Sequence, residues 1–148
     1  MISPSKMAKM VTIEEKKYVT IQFDEHTKII YLVWNGFVAS HEFRQIIHIL
    51  LGFVQKSHLN HPGMNLLADV RKLNIVKKED TDWMAQEVDP KLYRMGLRKS
   101  AFIIPESFFT QINVKDFQEK TLKNDNKLIS RQFASYTDAE KWIVGSIT

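Results

Sequence analysis

A carboxylate and two cations come together at the end of one predicted strand. Asp69 ends an apolar run, and Arg71 and Lys72 follow before a polar loop. Ligands of open α/β sheets bind at the carboxyl ends of the strands. Arg71 could therefore bind a carboxylate or phosphate there, Lys72 could add charge, and Asp69 could be catalytic. Trp83, whose predicted helix begins near this loop, could complete a site for an anionic ligand.

The same residues also fit a purely structural role. Asp69 would then accept backbone N–H bonds in its loop, and Arg71 would pair with it or with the acidic helix start at residues 79–82. Loop aspartates commonly do this, so we favour the structural role. An enzyme that acts on an anionic substrate through Asp69 and Arg71 is the alternative. The acidic helix start itself is predicted to be solvated and to interact favourably with the helix dipole.

Other kinds of catalytic site have little support. The chain has no cysteine, which excludes disulfides, thiol nucleophiles and zinc–thiolate sites. His58 and His61 have no cysteine or carboxylate nearby to complete a metal site. Ser40 is better explained as a helix cap, Ser100 lacks the setting of a nucleophile, and there is no glycine-rich phosphate loop. We therefore predict a protein that is not an enzyme and that holds neither a metal nor a cofactor.

Hydrophobic periodicity predicts the elements that must position these residues. Strands with alternating or continuous apolar residues are separated by helices with apolar stripes. The strands are predicted at 18–24, 29–34, 64–70, 100–105 and 128–136, and the helices at 41–57, 79–88, 106–124 and 137–147. This order predicts an α/β fold with a mixed, mostly parallel sheet, an N-terminal antiparallel hairpin and about four helices. We expect one domain over residues 18–148, preceded by a flexible leader at 1–17.

The first predicted helix has an apolar arc wider than a surface helix needs. Ile49, Leu51 and Phe53 flank its core face. They could pack deeply within the chain, or they could contact a second copy or an apolar ligand, since exposed apolar patches are uncommon on monomers. Trp83, Trp142 and this ridge at residues 49–53 could together line an apolar cleft.

Charge and composition narrow the partners. The 148 residues carry a formal net charge of +4, but lysine and arginine are spread along the chain, so we do not expect nucleic-acid binding. No apolar run reaches the length of a membrane span, and the N-terminus lacks the apolar segment of a secretory signal. We expect a cytoplasmic location.

Several segments resemble the SpoIIAA-like family, the STAS-related or CRAL-TRIO-like α/β domains. The resemblance is carried by "YLVWNG" before a helix containing "EFRQII", by "LLADVRKL", by "DTDW", by "KSAFIIPESFF" and by "QFASYTDAEKWI", in that order over residues 18–146. It implies a compact bacterial cytoplasmic domain, commonly dimeric, with no assigned catalytic activity. In anti-sigma-factor antagonists a phosphorylated serine follows the aspartate-ending strand. Here no serine or threonine follows Asp69 before Thr81, so a phosphorylation switch is not carried over.

Together these observations predict a non-enzymatic domain for self-association, most simply as a homodimer, and for binding a protein or an apolar ligand. A regulatory role fits this prediction. A carrier of a lipid or other amphiphile is a further alternative. Ile49, Leu51 and Phe53 are the predicted interface, and Asp69, Arg71, Lys72 and Trp83 are the predicted ligand or anion site.

Overall fold

The computed structural model describes residues 10–109 and 127–145. The strands are β1 (Met10–Lys16), β2 (Val19–Asp24), β3 (Ile29–Gly36), β4 (Asn65–Leu73), β5 (Lys99–Ile103) and β6 (Ile129–Phe133). The helices are α1 (Ser40–Ser57), α2 (Lys78–Trp83), α3 (Asp89–Arg94), the short α4 (Glu106–Phe109) and α5 (Tyr136–Val144), and a π-helical turn (Met84–Val88) joins α2 to α3.

The six strands form one sheet in sequential order, β1-β2-β3-β4-β5-β6. β1, β2 and β3 pair antiparallel, whereas β3, β4, β5 and β6 pair parallel. The predicted α/β class and mixed sheet are therefore confirmed. The predicted helix at 106–124 is described only as far as residue 109, so the predicted number of helices stays open.

Strand β1 differs from the prediction of a flexible leader. Residues 10–16, which we had placed in the leader at 1–17, pair along their length with β2. Ile13 is partly buried against the core, while the charged residues Glu15 and Lys16 are exposed. An edge strand needs only one apolar face. Because β1 also carries charged residues, its sequence lacks the apolar pattern that predicted the other strands. Residues 1–9 lie outside the described ranges.

Alternation along the strands divides the core between two faces of the sheet. In β4, Leu66 and Ala68 pack with the first cluster, which includes α1 and residues of the 78–94 segment. Leu67, between them, packs with the second cluster, which includes Trp142 and α5. We call these the α1 face and the α5 face. Trp83 packs against the first cluster and Trp142 belongs to the second, so the two tryptophans do not line one cleft.

Helix α1 begins differently from the prediction. Its N-cap is Ala39, whose backbone N–H donates to the Glu42 carboxylate at 3.0 Å, and Ser40 is already helical. The Ser40 hydroxyl instead donates to Asp80 at 2.8 Å, which ties α1 to α2. Asp80 is buried, contrary to the predicted solvated helix start, and Arg44, which also donates to it at 2.8 Å, compensates its charge. Within the described ranges, no helix combines the length and apolar character required to cross a bilayer.

Candidate functional site

Asp69 and Arg71, which follow the "NLLA" segment, are hydrogen-bonded to each other. Asp69 accepts from Arg71 at three places: the backbone N–H at 3.1 Å, Nε at 3.0 Å and Nη2 at 2.7 Å. The Tyr136 hydroxyl donates to the same carboxylate at 2.6 Å. The Asp69 side chain is 7% exposed and the Arg71 side chain 45%. Arg71 and Asp69 are thus paired with each other, as the structural role requires.

Tyr136 extends this network along α5. Its ring stacks on Tyr31, with centroids 6.3 Å apart, and the Tyr31 hydroxyl donates to Glu140. Arg71 lies over the Tyr136 ring at 5.4 Å. Burial and the hydrogen bonds to carboxylates raise the pKa of both Tyr31 and Tyr136. The network therefore connects β3, β4 and α5 on the α5 face of the sheet.

The protonation state of Asp69 follows from its partners. Burial alone would raise the pKa of its carboxyl, but hydrogen bonds from Arg71 and Tyr136 outweigh burial and lower the pKa. A carboxylate with a lowered pKa is a poor general base at neutral pH, because it holds its negative charge firmly. The four hydrogen bonds that the carboxylate accepts stabilise its charged form and fix its position.

The remaining predicted site residues lie elsewhere. Lys72 is exposed. Trp83 lies on the opposite face of the sheet from Asp69, beneath the Arg44 guanidinium at 4.7 Å and edge-on to His48 at 5.6 Å. The structure therefore brings Asp69 and Arg71 together but does not bring Trp83 to them.

The predicted interface residues of α1 are partly covered by the chain itself. Ile49, Leu51 and Phe53 are each partly buried and pack against the first core cluster. The Phe53 ring meets Phe23 edge-on, with centroids 5.2 Å apart. Much of the wide apolar arc is thus used for intramolecular packing.

A cavity of about 470 Å³ lies on the α1 face, between the sheet and its helices. Its walls are mainly apolar side chains from β3, β4, β5, α1 and the π-helical turn: Leu32, Trp34, Phe43, Ile47, Leu50, Leu66, Ala68, Val70, Met84 and Phe102. Neither Asp69 nor Arg71 lines it.

Polar residues line the cavity in two groups. Asn74 and Thr81, with Ala85, line it and are exposed, so it opens to solvent near the carboxyl ends of β3 and β4. Asp89, in the segment that connects β4 to β5, and Ser100, which lies opposite Leu66 near the start of β5, also line it.

Asp89 reaches the cavity through the π-helical turn. Its backbone N–H donates to the Met84 carbonyl, five residues back, and Pro90 follows it without an N–H of its own. Burial raises the pKa of the Asp89 carboxyl to about 6, opposed in part by the positive charge of Lys127. At neutral pH this carboxyl is mainly ionised but binds a proton more readily than an ordinary aspartate.

Sequence reasoning missed Asp89 and Ser100 as residues of the cavity. Asp89-Pro90 reads as the start of a new helical turn, and Ser100 reads as one small residue in an apolar strand. The available signal is alternation in β5, where Ser100 shares the α1 face with Phe102. Among the described residues there is no cluster of three or more histidine, aspartate or glutamate side chains placed to hold a metal. Comparison of this chain with models of protein families, with curated proteins and with solved structures found no match.

Proposed function

We propose that this chain is a non-enzymatic binding protein for an apolar small molecule, which occupies the cavity on the α1 face. The observation that carries this proposal is an apolar cavity of about 470 Å³ with exposed residues at one end. Ligand sites in proteins fall in the range of about 300–1,000 Å³ and combine apolar walls with a few polar groups. The cavity has this composition.

The cavity supplies enough apolar contact for measurable binding. A ligand that buries about 300 Å² of apolar surface gains about 7 kcal/mol at about 25 cal/mol per Å². Association costs several kcal/mol in lost freedom. The net gain of about 3 kcal/mol corresponds to dissociation constants in the millimolar range for simple aliphatic ligands.

The Asp69 network supports a structural role more than a catalytic one. Asp69 already accepts hydrogen bonds from Arg71 and Tyr136, and an anionic substrate would have to displace Asp69 from Arg71. Such a displacement would leave a nearly buried carboxylate without its cation. Within this proposal, the network holds α5 against the sheet.

A matched pair of substitutions in the π-helical turn tests the cavity. Ala85 lines the cavity and is exposed, whereas its neighbour Gln86 is exposed and does not line it. Ala85→Trp should block the opening, and Gln86→Trp should leave it free. Binding would be followed by the fluorescence of the neutral dye N-phenyl-1-naphthylamine, with circular dichroism as a check of folding.

We expect the dye to bind the natural chain and the Gln86→Trp variant, and to bind Ala85→Trp at least tenfold more weakly. Equal binding by a folded Ala85→Trp variant, or no binding by the natural chain, would refute the proposal. Native mass spectrometry of freshly purified protein adds a second measurement. A copurified apolar molecule should be detected with the natural chain and should be absent from the Ala85→Trp variant.

A second candidate function, a carrier that exchanges an amphiphile with a lipid bilayer, is favoured by the surface beside the opening. Phe37 and Ile75 are 72% and 93% exposed. They lie close together, because the Asn74 N–H donates to the Gly36 carbonyl at 3.0 Å, and Lys72 and Lys77 are exposed nearby in the chain. Apolar tips flanked by lysines suit an anionic membrane surface.

Sedimentation with vesicles tests this carrier function. We expect binding to vesicles that contain phosphatidylglycerol, weaker binding to phosphatidylcholine alone, and loss of binding in the double variant Phe37→Ser, Ile75→Ser. Leu59→Ser is the matched control, since Leu59 is an exposed apolar residue in the loop after α1. Equal sedimentation of the double variant and the natural chain would argue against the carrier.

The proposal also includes the predicted family, cellular location and oligomeric state. The order of strands and helices supports membership of the SpoIIAA-like family. A cytoplasmic location and a homodimer accompany that resemblance. Size-exclusion chromatography with light scattering tests the dimer, and a monomer at all accessible concentrations would remove it.

A further inference from the structure

Among the described residues, three aspartates are buried and Asp89 is partly buried, and the four differ in their hydrogen-bond partners. Asp24 accepts from the His26 backbone N–H at 2.9 Å, and Asp69 and Asp80 accept from arginine side chains. Among the described residues, none donates a hydrogen bond to the Asp89 side chain and none forms an ion pair with it. Buried carboxylates are ordinarily paired, because an unpaired charge in an apolar setting is costly. Asp89 therefore has unused capacity to accept hydrogen bonds.

Ser100 offers a second unused polar group in the same cavity. It is buried, and none of the described residues hydrogen-bonds its hydroxyl. Its backbone lies within the sheet, between Leu66 of β4 and Ser130 of β6, so the position of its side chain is set by the ladder. A carboxylate and a hydroxyl thus stand in a cavity whose other walls are apolar.

We propose that the ligand of this cavity is an aliphatic amine, whose protonated nitrogen is held by Asp89 and Ser100 and whose hydrocarbon chain lies along the apolar walls. This inference rests on the proposed binding function and specifies its ligand class. An ammonium group donates three hydrogen bonds and would place a positive charge in direct contact with the Asp89 carboxylate. Lys127 does not fill this place, since it is exposed and forms no ion pair with Asp89 within the described ranges.

Charge sets the expected order of ligands. A carboxylic acid with the same hydrocarbon chain as the amine would place a second carboxylate beside that of Asp89, and the two negative charges would repel. An alcohol would donate one hydrogen bond to the Asp89 carboxylate but would bring no positive charge to it, whereas an ammonium group brings both. The amine should therefore bind more tightly than the alcohol, and the alcohol more tightly than the acid.

Three ten-carbon compounds with one chain and different head groups test the inference: decylamine, decanol and decanoate. Calorimetric titration at pH 7.5 would compare the natural chain with Asp89→Asn and with Glu87→Gln, a control that removes one exposed charge from the same segment. We expect decylamine to bind the natural chain at least tenfold more tightly than decanol. Asp89→Asn should reduce decylamine to the affinity of decanol, while Glu87→Gln should bind all three compounds as the natural chain does.

The outcomes separate the inference from the proposed function. If the three compounds bind equally, or if Asp89→Asn leaves decylamine binding unchanged, the amine inference is overturned and the apolar binding function stands. If none of them binds the natural chain, both fail. Ser100→Ala adds an independent readout: a loss of about threefold to tenfold for decylamine supports the role of its hydroxyl, and unchanged affinity removes Ser100 from the site.

Discussion

Replacing Asp89 with asparagine should stabilise the unliganded protein at neutral pH. Burial raises the pKa of this carboxyl from its ordinary 3.8 to about 6 in the folded chain. At about 1.4 kcal/mol per pH unit, that difference corresponds to about 3 kcal/mol of unfavourable free energy when Asp89 is ionised. Because Asp89 is only partly buried, screening by water reduces this cost, and we expect Asp89→Asn to gain about 1–3 kcal/mol at pH 7.

The pH dependence gives the sign of the effect. Between pH 4 and pH 6 the folded state binds a proton at Asp89 that the unfolded state does not. The natural chain should therefore gain stability, relative to the variant, as the pH falls from 7 to 4. The advantage of Asp89→Asn should become small by pH 4, because the carboxyl of the folded chain is then neutral and no longer carries the cost of a buried charge.

Urea unfolding followed by tryptophan fluorescence at pH 7 and pH 4.5 measures this difference. Glu87→Gln is the matched control, since Glu87 lies in the same segment and is exposed. The control should change stability by less than about 0.5 kcal/mol at either pH. A variant that is less stable than the natural chain at pH 7, or a difference that does not change with pH, would show that Asp89 is not held in an apolar setting.

Three further substitutions test the packing around the site. Tyr136→Phe should cost about 2 kcal/mol, because it removes a hydrogen bond to the ionised Asp69, and thermal unfolding would measure the loss. Because the pKa of Asp69 is lowered in the folded chain, its ionised carboxylate stabilises the fold fully above about pH 5, and this stabilisation is lost as the pH falls below about 4. Asp69→Asn should therefore remove this part of the acid unfolding transition. An unchanged acid transition would contradict the network. Phe53→Asp should lower the free energy of unfolding by about 3 kcal/mol rather than only change the oligomeric state, because the Phe53 ring packs on Phe23. The control Leu59→Asp, at an exposed position, should leave the free energy of unfolding unchanged. Equal effects of the two substitutions would argue against this packing.

The local elements of this protein were largely predictable. The 3.6-residue period of Phe43, Ile46, Ile47 and Leu50 is confirmed as the buried face of α1. The apolar runs of β3 and β4 predicted central strands, because both of their faces are covered. Strand β1 was missed because an edge strand with charged residues carries only half of such a pattern.

Contacts across long sequence separations were not predictable in the same way. The pairing of Arg71 with Asp69 spans two residues and could be expected from their spacing. The Tyr136 hydroxyl that completes this network lies 67 residues further along the chain. Ser40 has the composition of a helix cap, yet its hydroxyl is used by Asp80, because folding brings α2 against the start of α1.

By itself, the sequence determined which segments are strands and helices and which of their faces are apolar, because periodicity along the chain records burial directly. Only the tertiary structure decided where apolar surfaces fail to fill the space between them. The cavity exists because side chains from β3, β4, β5, α1 and the π-helical turn meet without closing on one another, and no single segment encodes that mismatch. The same packing brings Asp89 and Ser100, eleven residues apart, to the lining of one apolar space, where burial raises the pKa of the carboxyl.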